Sequence, residues 1–339
     1  TLRNGVSDKL EKSDNTTPDA TVLQRSVAEY KRQGADSVVM EVSSHGIVQG
    51  RINGTTFSVA VLTNLSRDHL DYHQDMDAYA AAKARLFFWP ELKYAVINMD
   101  DVLGVELSRQ LANKTTKIMG YGFRYPEAGC YSPHFKMLYG SNLKADIEGI
   151  EFDIDYEDYH EHLRIGLLGK FNASNLLAVI AILIASGIKL SDAVRALQHV
   201  QPIPGRMEKY GGINQPIIIV DYAHTPDALE KVLCTLREIL RATHQSKEKV
   251  AHNARLHCVV GCGGDRDKGK RAMVGGVATR LADAVIFTSD NPRSEEPMNI
   301  IKDIVEGVEA ENYQIEIDRA LAIYQAIDNA DSGDIVLIA

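Results

Sequence analysis

The sequence has few cysteines, a single tryptophan, no long hydrophobic segment and no excess of positive charge. Its longest unbroken apolar run covers Leu176 to Ala185, about half of the roughly 20 residues that a bilayer-spanning helix needs. The 37 Lys and Arg residues against 46 Asp and Glu residues give a formal net charge of −9. We therefore expect a protein that neither spans a membrane nor binds nucleic acid non-specifically.

The four cysteines show neither a CxxC pair nor the spacing of a metal site, and this pattern is typical of reduced thiols in the cytoplasm. The amino-terminal residues also lack the basic, apolar and small-residue pattern of a secretory signal peptide. Cys262 lies in a glycine-rich segment. It is either a catalytic thiol or a small packing side chain, and the second interpretation is favoured.

The length of 339 residues corresponds to about two domains at roughly 150 residues per domain. From residue 216 onward, short β-branched runs alternate with helix-period segments. This alternation predicts an α/β fold with a parallel, doubly wound sheet. The predicted strands cover residues 217–222, 256–260, 284–288, the vicinity of 315, and 335–338.

The amino-terminal part also reads as α/β, but it is less regular. Thr17 and Pro18 are predicted to cap and open a helix over residues 19–33. Strands are predicted over residues 37–42, 57–62, 94–98 and near 117, helices over 78–88, 172–186 and 191–199, and a β-rich meander over 130–168. Gln201 to Gly205 contains two prolines and a glycine and is the predicted linker. The expected domains are therefore residues 1–205 and 206–339.

Three polar or glycine-rich segments follow predicted strands of the carboxyl-terminal part, namely residues 221–224, 261–268 and 290–293. Ligands of doubly wound sheets bind beyond the carboxyl ends of the strands. Asp221 would orient a ribose or a metal-bound water, or it would only stabilise a turn. Residues 290–293 form a turn by composition, and Arg293 within it has a planar fork that suits a carboxylate.

Residues 264–271 (GDRDKGKR) nearly match the triphosphate-binding loop G-x-x-x-x-G-K-[ST]. The last position requires a hydroxyl that holds Mg²⁺, and Arg271 cannot supply one. The aspartates inside the segment would also repel a triphosphate. The composition favours a mixed-charge pocket in which Arg266 receives a carboxylate or a nucleotide edge.

Glu41 and His69 lie at the ends of two predicted strands, and Lys83 lies on a predicted helix. Glu41 is either a Mg²⁺ ligand or half of a structural salt bridge, because a buried carboxylate needs a partner. His69 would by default be a surface or capping residue. Lys83 reads as a solvated helix residue, yet its alanine neighbours allow close packing that lowers a lysine pKa.

These segments together resemble one family, the Mur ligases, from about residue 15 to the last residue. The resemblance is carried by residues 41–46 (EVSSHG), 63–71 (TNLSRDHLD), 82–83 (AK), 169–175 (GKFNASN), 205–208 (GRME), 220–228 (VDYAHTPDA), 261–271 (GCGGDRDKGKR) and 290–293 (DNPR). An Asp-Asn-Pro-Arg segment accompanies meso-diaminopimelate as the amino acid that such ligases add. Lysine-adding relatives differ at its fourth position.

The resemblance implies a central Mur-ligase ATPase-type domain, with a parallel sheet that lacks its first strand and P-loop, followed by a Rossmann-like carboxyl-terminal domain. It also implies an ATP-dependent ligase of peptidoglycan precursor synthesis, and hence of cell-wall biogenesis, cell shape and cell division. The expected reaction joins meso-diaminopimelate to the D-Glu γ-carboxylate of UDP-MurNAc-L-Ala-D-Glu through an acyl phosphate. The expected protein is a cytoplasmic monomer with small-molecule substrates.

Residue roles follow from the same resemblance. Lys83 matches a lysine that CO₂ converts to a carbamate (N6-carboxylysine), and Glu41 and His69 match Mg²⁺ ligands. Asn15, Thr16, Thr17, Ser43, Gln49 and Arg51 match positions that hold UDP-MurNAc-dipeptide. Asn175, Arg206 and Asp221 match the ATP site. Arg266, Asp290, Asn291, Pro292 and Arg293 match the diaminopimelate pocket.

The sequence departs from the family pattern by three absences. They are the uridine-binding domain, the glycine-rich triphosphate loop and a downstream Gly-Lys-Gly-His-Glu segment. We therefore expect a piece of a longer ligase that is inactive alone. Two alternatives stay open, a folylpolyglutamate synthetase, against which residues 43–46 and 290–293 argue, and a non-catalytic nucleotide-binding module.

Overall fold

A computed structural model describes residues 2–3, 10–11, 15–66, 70–125, 133–246 and 254–339. The helices are α1 Ala20–Arg32, α2 Ser44–Val48, α3 Leu70–His73, α4 Met76–Ala84, α5 Val102–Leu111, α6 Lys170–Ala185, α7 Leu190–Leu197, α8 Pro226–Ser246, α9 Gly269–Leu281, α10 Pro297–Val305 and α11 Arg319–Asp328. The strands are β1 Leu2–Arg3, β2 Leu10–Glu11, β3 Val59–Leu62, β4 Tyr94–Asn98, β5 Lys117–Gly122, β6 Phe135–Asp146, β7 Gly149–Tyr156, β8 Tyr159–Ile165, β9 Glu208–Gly211, β10 Ile217–Val220, β11 Leu256–Val260, β12 Ala284–Phe287, β13 Tyr313–Ile315 and β14 Ile335–Ile338. No helix in these ranges is both long and apolar enough to cross a bilayer.

The chain forms two compact units. The first comprises residues 1–141, 154–161 and 174–194, and the second comprises residues 142–153, 162–173 and 195–339. Segments between residues 142 and 194 therefore alternate between the units. A domain boundary at residue 205 stays a prediction.

One sheet has the strand order β3-β4-β5-β6-β7-β8. Strands β3 to β6 pair in parallel, with Val59 opposite Tyr94 and Tyr94 opposite Lys117. The interior strand β4 is buried from Ala95 onward, as expected for a parallel strand that is covered on both faces. Helices α1 and α5 contribute Leu23 and Leu107 to the same core.

Two local predictions for this region were wrong. Residues 37–42 are not a strand, and Val39 is 85% exposed, because the segment finds no ladder partner among the described residues. Helix α1 is capped not by Thr17 but by Asp19, whose side chain accepts hydrogen bonds from the N–H groups of Thr21 and Val22. A carboxylate at this position satisfies donors that the first turn leaves free.

The other sheet has the order β13-β12-β11-β14-β10-β9. Its first five strands are parallel, and β9 pairs antiparallel with β10 at the edge. Helices α8, α9 and α10 pack on one face around Cys258 and Leu337, whereas α11 covers the other face around Val259 and Val336. The predicted α/β class with a doubly wound parallel sheet is confirmed, and the sequence reading missed only strand β9 of this sheet.

Helices α9 and α10 approach each other so closely that glycine is required between them. A Cβ atom on Gly275 would overlap the carbonyl oxygen of Ile304, and one on Gly307 would overlap the carbonyl oxygen of Ala272. In both cases the obstacle is backbone, which cannot rotate away. The contact therefore holds α10 and the residues before it at a set distance from α9.

A cluster of ion pairs around one buried arginine lies near the start of α9. The Arg271 side chain is 1% exposed and pairs with Glu295 through Nη2 to Oε1 (2.7 Å) and Nη1 to Oε2 (2.9 Å). Its Nη1 also donates to Asp303 Oδ2 at 2.7 Å. The bidentate Arg271 pair holds the pKa of Glu295 down at about 2, because the paired carboxylate is stabilised in its charged form.

We expect Gly275→Ala to destabilise the protein by about 1–3 kcal/mol, the usual cost of overpacking. In an exposed helix the same change would be favourable by about 1 kcal/mol, so the sign of the effect tests the close packing. Urea unfolding followed by circular dichroism measures it. Met273→Ala, at an exposed position of α9, is the control, and a stabilising Gly275→Ala change would contradict the proposed packing.

The free energy of unfolding below pH 4.5 depends on the ionisation of Glu295. Because its folded pKa is lowered from 4.5 to about 2, the carboxylate stabilises the fold above pH 4.5 and loses that contribution as the pH falls towards 2. In Glu295→Gln the free energy of unfolding should be lower at pH 7 and should fall less steeply below pH 4.5. Urea titrations at pH 7 and pH 3.5 compare the slopes, and equal slopes in both proteins would refute this role.

Candidate functional site

In the first unit, Thr17 ties the segment after residue 36 to the start of α2. Its hydroxyl is fully buried, donates to the Glu41 carbonyl oxygen (3.0 Å) and accepts from the Ser43 N–H (2.8 Å). The Ser43 hydroxyl caps α2 by accepting from the Gly46 N–H at 3.0 Å. Gly46 has no room for a Cβ, because Thr17 lies against it. Thr17 and Ser43 are therefore in direct contact, and their role in substrate binding stays a prediction.

Other members of the predicted UDP-MurNAc-dipeptide set surround this contact. Arg51 Nη1 donates to the Thr17 carbonyl oxygen at 2.9 Å, and Gln49 Nε2 lies 3.5 Å from the Tyr72 hydroxyl. Asn15 and Thr16 are exposed just before Thr17. The arrangement offers hydroxyl, amide and guanidinium donors, which suit an anionic or sugar-bearing ligand.

A cluster of aromatic rings joins α2 to the helix that carries Lys83. His73 shares a buried hydrogen bond of 2.8 Å with Ser44 and stacks on Tyr79 with ring centroids 5.2 Å apart. His45 packs against Tyr72, with centroids 4.1 Å apart. Lys83 Nζ lies 5.0 Å from the centroid of the Tyr79 ring. Lys83 is thus half-buried beside aromatic surface and not on a fully solvated helix face.

The predicted metal site is only partly described. Glu41 does not close a buried strand as predicted, because it is exposed and its segment is irregular. His69 lies outside the described residues. Among the described residues no group of three His, Cys, Asp or Glu side chains is suited to hold a metal ion. Glu41 and Lys83 alone would contribute one carboxylate and one amine, so the magnesium assignment stays a prediction.

In the second unit, the segment before β9 meets the end of β10. The Asp221 carboxylate accepts from the Met207 N–H at 2.9 Å, and the Arg206 guanidinium lies over the Tyr222 ring at 5.0 Å. Burial raises the pKa of Asp221, although the Met207 N–H opposes this effect. Arg206 and Asp221, two predicted ATP-site residues, therefore lie together. Asn175, the third, belongs to the first unit, where it is exposed on α6.

The loop after β11 and the turn after β12 are joined by hydrogen bonds. Gly264 N–H donates to the Asn291 carbonyl oxygen at 2.9 Å, and Arg293 Nη1 donates to the Gly264 carbonyl oxygen at 2.6 Å. Asp265 and Arg293 both adopt φ near +50°, a region that side chains rarely occupy and that often marks functional sites. The predicted amino-acid pocket, with Arg266 exposed in the same loop, thus rests on two cross-linked segments.

Cys262 is a packing residue of that loop. Its side chain is 5% exposed within the core of the second unit, and burial raises the pKa of the thiol to about 11. Almost no thiolate exists at neutral pH, and the thiolate is the nucleophilic form. The favoured interpretation of Cys262 as a small buried side chain is confirmed by this burial.

Several residues of these arrangements were not singled out from the sequence. The ring cluster of His45, Tyr72, His73 and Tyr79 had no recognisable spacing, because its members come from three helices. Glu295 followed the predicted turn by two residues and read as one of many surface acids. Only knowledge of the fold shows that it accepts a bidentate pair from Arg271.

Comparisons with known proteins agree with this architecture. Residues 1–183 match the Mur ligase middle domain, and residues 205–339 match the Mur ligase glutamate ligase domain. A protein of Nitrosomonas europaea named UDP-N-acetylmuramoyl-L-alanyl-D-glutamate--2,6-diaminopimelate ligase is 56% identical over the whole chain. A protein of the same name from Chromobacterium violaceum is 46% identical. The chain spans about 65% of the length of each.

Solved structures place the fold in the same group. A structure of a ligase with that name is 38% identical and superposes with a TM-score of 0.63, covering 97% of this chain and 64% of the other. MurF from Acinetobacter baumannii is 17% identical with a TM-score of 0.59, covering 83% of this chain and 56% of the other, which is a likeness of fold alone. The fold, the two matched domains and the relatives together show that the chain belongs to the Mur ligase family.

Proposed function

We propose that the chain carries most of the catalytic and amino-acid-binding parts of a MurE-type ligase, which adds meso-diaminopimelate to UDP-MurNAc-L-Ala-D-Glu at the expense of ATP. The main support is the 56% identity over the whole chain to a ligase named for this reaction. The joined loop and turn that hold Arg266 and Arg293 agree with it. The expected setting is the cytoplasm, where ATP and nucleotide-activated precursors are made, and the expected state is a monomer.

The reaction joins a carboxylate to an amine in two steps. An oxygen of the D-Glu γ-carboxylate attacks the γ-phosphorus of ATP, ADP leaves, and an acyl phosphate forms. The amine of diaminopimelate then attacks the acyl carbon, the tetrahedral intermediate expels phosphate, and the new amide nitrogen loses a proton. The barrier to the first step is largely the repulsion between two anions, so positioned cationic groups lower it.

The first unit is proposed to bind the UDP-MurNAc-dipeptide. Thr17, Ser43 and Arg51 already form one hydrogen-bonded group, in which the buried Thr17 orients the partly exposed Ser43 and Arg51 before a ligand arrives. Such preorganisation reduces the entropy lost on binding. Asn15, Thr16 and Gln49 would add polar contacts at the exposed side of the same group.

The second unit is proposed to bind diaminopimelate and part of ATP. Arg266 and Arg293 would pair with the carboxylate at the far end of diaminopimelate, a group that lysine lacks. A guanidinium has five N–H donors, so Arg293 can keep its bond to Gly264 and still receive a carboxylate. Asp290, Asn291 and Pro292 shape the turn. Arg206 and Asp221 are proposed to contact the nucleotide. Asn175, which belongs to the first unit, stays a predicted nucleotide contact.

The cofactor proposal concerns Glu41, His69 and Lys83. A carbamate on Lys83 would turn an amine into an oxygen donor, and a carboxylate, a carbamate oxygen and an imidazole form a donor set compatible with Mg²⁺. When bound there, Mg²⁺ would offset the charge of the γ-phosphate and the attacking carboxylate. Lys83 is half-buried, with its Nζ 5.0 Å from the centroid of the Tyr79 ring, and carbamate formation there is proposed from the match of Lys83 to the family's reactive lysine.

Substitution of Arg293 tests the function. Wild type should bind meso-diaminopimelate in preference to lysine, and Arg293→Ala should weaken diaminopimelate binding by about 1.5–3 kcal/mol, the scale for a hydrogen bond to a charged group. Calorimetric titration with both amino acids measures this. Arg241→Ala, at an exposed position of α8, is the matched control. Absence of diaminopimelate binding by wild type would refute the proposed function, and unchanged binding by Arg293→Ala would refute this residue's role.

Carbon-13 NMR tests the carbamate. In ¹³C-labelled bicarbonate, wild type should show a carbamate carbonyl resonance that disappears in Lys83→Arg, because a guanidinium remains protonated and does not react. Lys114→Arg, at an exposed position after α5, should retain the resonance. A signal that persists in Lys83→Arg would assign carbamylation to another lysine.

A further inference from the structure

Arg271 is the buried residue that connects both segments of the proposed amino-acid pocket. Besides its pairs with Glu295 and Asp303, its Nη2 lies 3.4 Å from the Gly263 carbonyl oxygen. Gly263 belongs to the loop after β11, and Glu295 follows the turn after β12. One guanidinium therefore contacts the loop that carries Arg266 and the segment that carries Arg293.

Glu295 extends this connection. Its Oε1 accepts from the Asp265 N–H at 2.6 Å, and its Oε2 lies 3.4 Å from Lys268 Nζ. The Asp265 carboxylate in turn accepts from the N–H and hydroxyl of Ser294. Asp265 and Glu295 thus bind each other's loops reciprocally, and Arg271 neutralises the charge of Glu295 behind them.

The physical cost of this arrangement points to a role beyond packing. Burying a guanidinium requires full compensation by partners, and the Nε atom of Arg271 has no hydrogen-bond partner among the described residues. Replacement of every member of a buried ion pair by apolar side chains of similar volume is often neutral or stabilising, whereas removal of one member alone is destabilising. An apolar side chain at position 271 would fill the space, but it would not hold Glu295 in place between the two segments.

The loop after β11 and the turn after β12 approach each other closely at two glycines. A Cβ on Gly264 would overlap the Pro292 carbonyl oxygen, and one on Gly263 would lie 2.9 Å from Arg293 Nη1. A small shift at this contact would therefore move Arg266 and Arg293. Displacements of about 1 Å in a binding group can change rates or affinities by up to about 100-fold.

We propose that Arg271 is a positioning residue that sets the spacing of the loop after β11 and the turn after β12, and thereby the selectivity for an amino acid with a distal carboxylate over lysine. This inference rests on the proposed function of the pocket. Arg271 itself, being fully buried, acts through Glu295 and Gly263. The exposed residues Arg266 and Arg293 would make the contact with the substrate.

The test compares Arg271→Met and Arg271→Lys with Arg237→Met. Arg237 forms a similar bidentate pair with Asp283, at 2.7 Å for both bonds, on α8, and neither residue belongs to the proposed pocket. NMR titrations with meso-diaminopimelate and with lysine give both dissociation constants, and urea unfolding gives stability. Both methionine variants should lose stability. Only Arg271→Met should weaken diaminopimelate binding, on the order of tenfold, with little change for lysine. Arg271→Lys should restore part of the selectivity.

The outcomes separate the two proposals. If wild type does not prefer diaminopimelate to lysine, the proposed function of the pocket is wrong. If wild type prefers diaminopimelate and Arg271→Met keeps the same preference, the role of Arg271 is wrong. Equal loss of selectivity in Arg237→Met would also overturn it, because general destabilisation would then be the cause. If Arg271→Met does not fold, the test uses Arg271→Lys instead. A preference for diaminopimelate over lysine that is unchanged in Arg271→Lys would then refute the inference.

Discussion

Burial of a parallel sheet on both faces is the constraint on which the second unit depends. With α8, α9 and α10 on one face and α11 on the other, the strands can present polar groups only where they end. Asp221 follows β10, the loop with Arg266 follows β11, and the turn with Arg293 follows β12. Because parallel strands of one sheet end at the same edge, all three segments lie at that edge. The loops with Arg266 and Arg293 are neighbours, whereas β14 lies between β11 and the strand that leads to Asp221.

The loops then need contacts of their own, because a loop that carries binding groups must hold them in position. In this unit the contacts are mainly ionic and backbone hydrogen bonds: Arg271 with Glu295, Asp265 with Ser294, and Arg293 with Gly264. Glycines permit the close approach of the backbones. In the first unit, hydrogen bonds of the buried Thr17 hydroxyl and between His73 and Ser44 hold an irregular segment that has no strand.

Much of the fold could be predicted because its signals are local. The apolar runs at residues 94–98, 217–220, 256–260 and 335–338 and the helix-period segments between them were recognised close to their true bounds. The segment 37–42 has the same β-branched composition, but it is not a strand in the structure. A strand requires a neighbour, and the composition of a segment says nothing about its neighbours. The cap of α1 was misplaced for a related reason, since Thr17 and Asp19 are both good capping residues and a tertiary contact engages Thr17.

The sequence by itself determined the family, through motifs whose order and spacing match the Mur ligases, and the α/β class, through hydrophobic periodicity. It also identified Arg266, Arg206, Asp221 and Arg293 as candidate binding residues, because glycine-rich and polar segments that follow strands can be recognised from the sequence alone. Only the tertiary structure decided that Arg271, which sits where a triphosphate loop would have a hydroxyl, is instead a buried cation between two loops. That role depends on Glu295 and Asp303, which are 24 and 32 residues away in sequence, and the burial of a charge is decided by such distant partners.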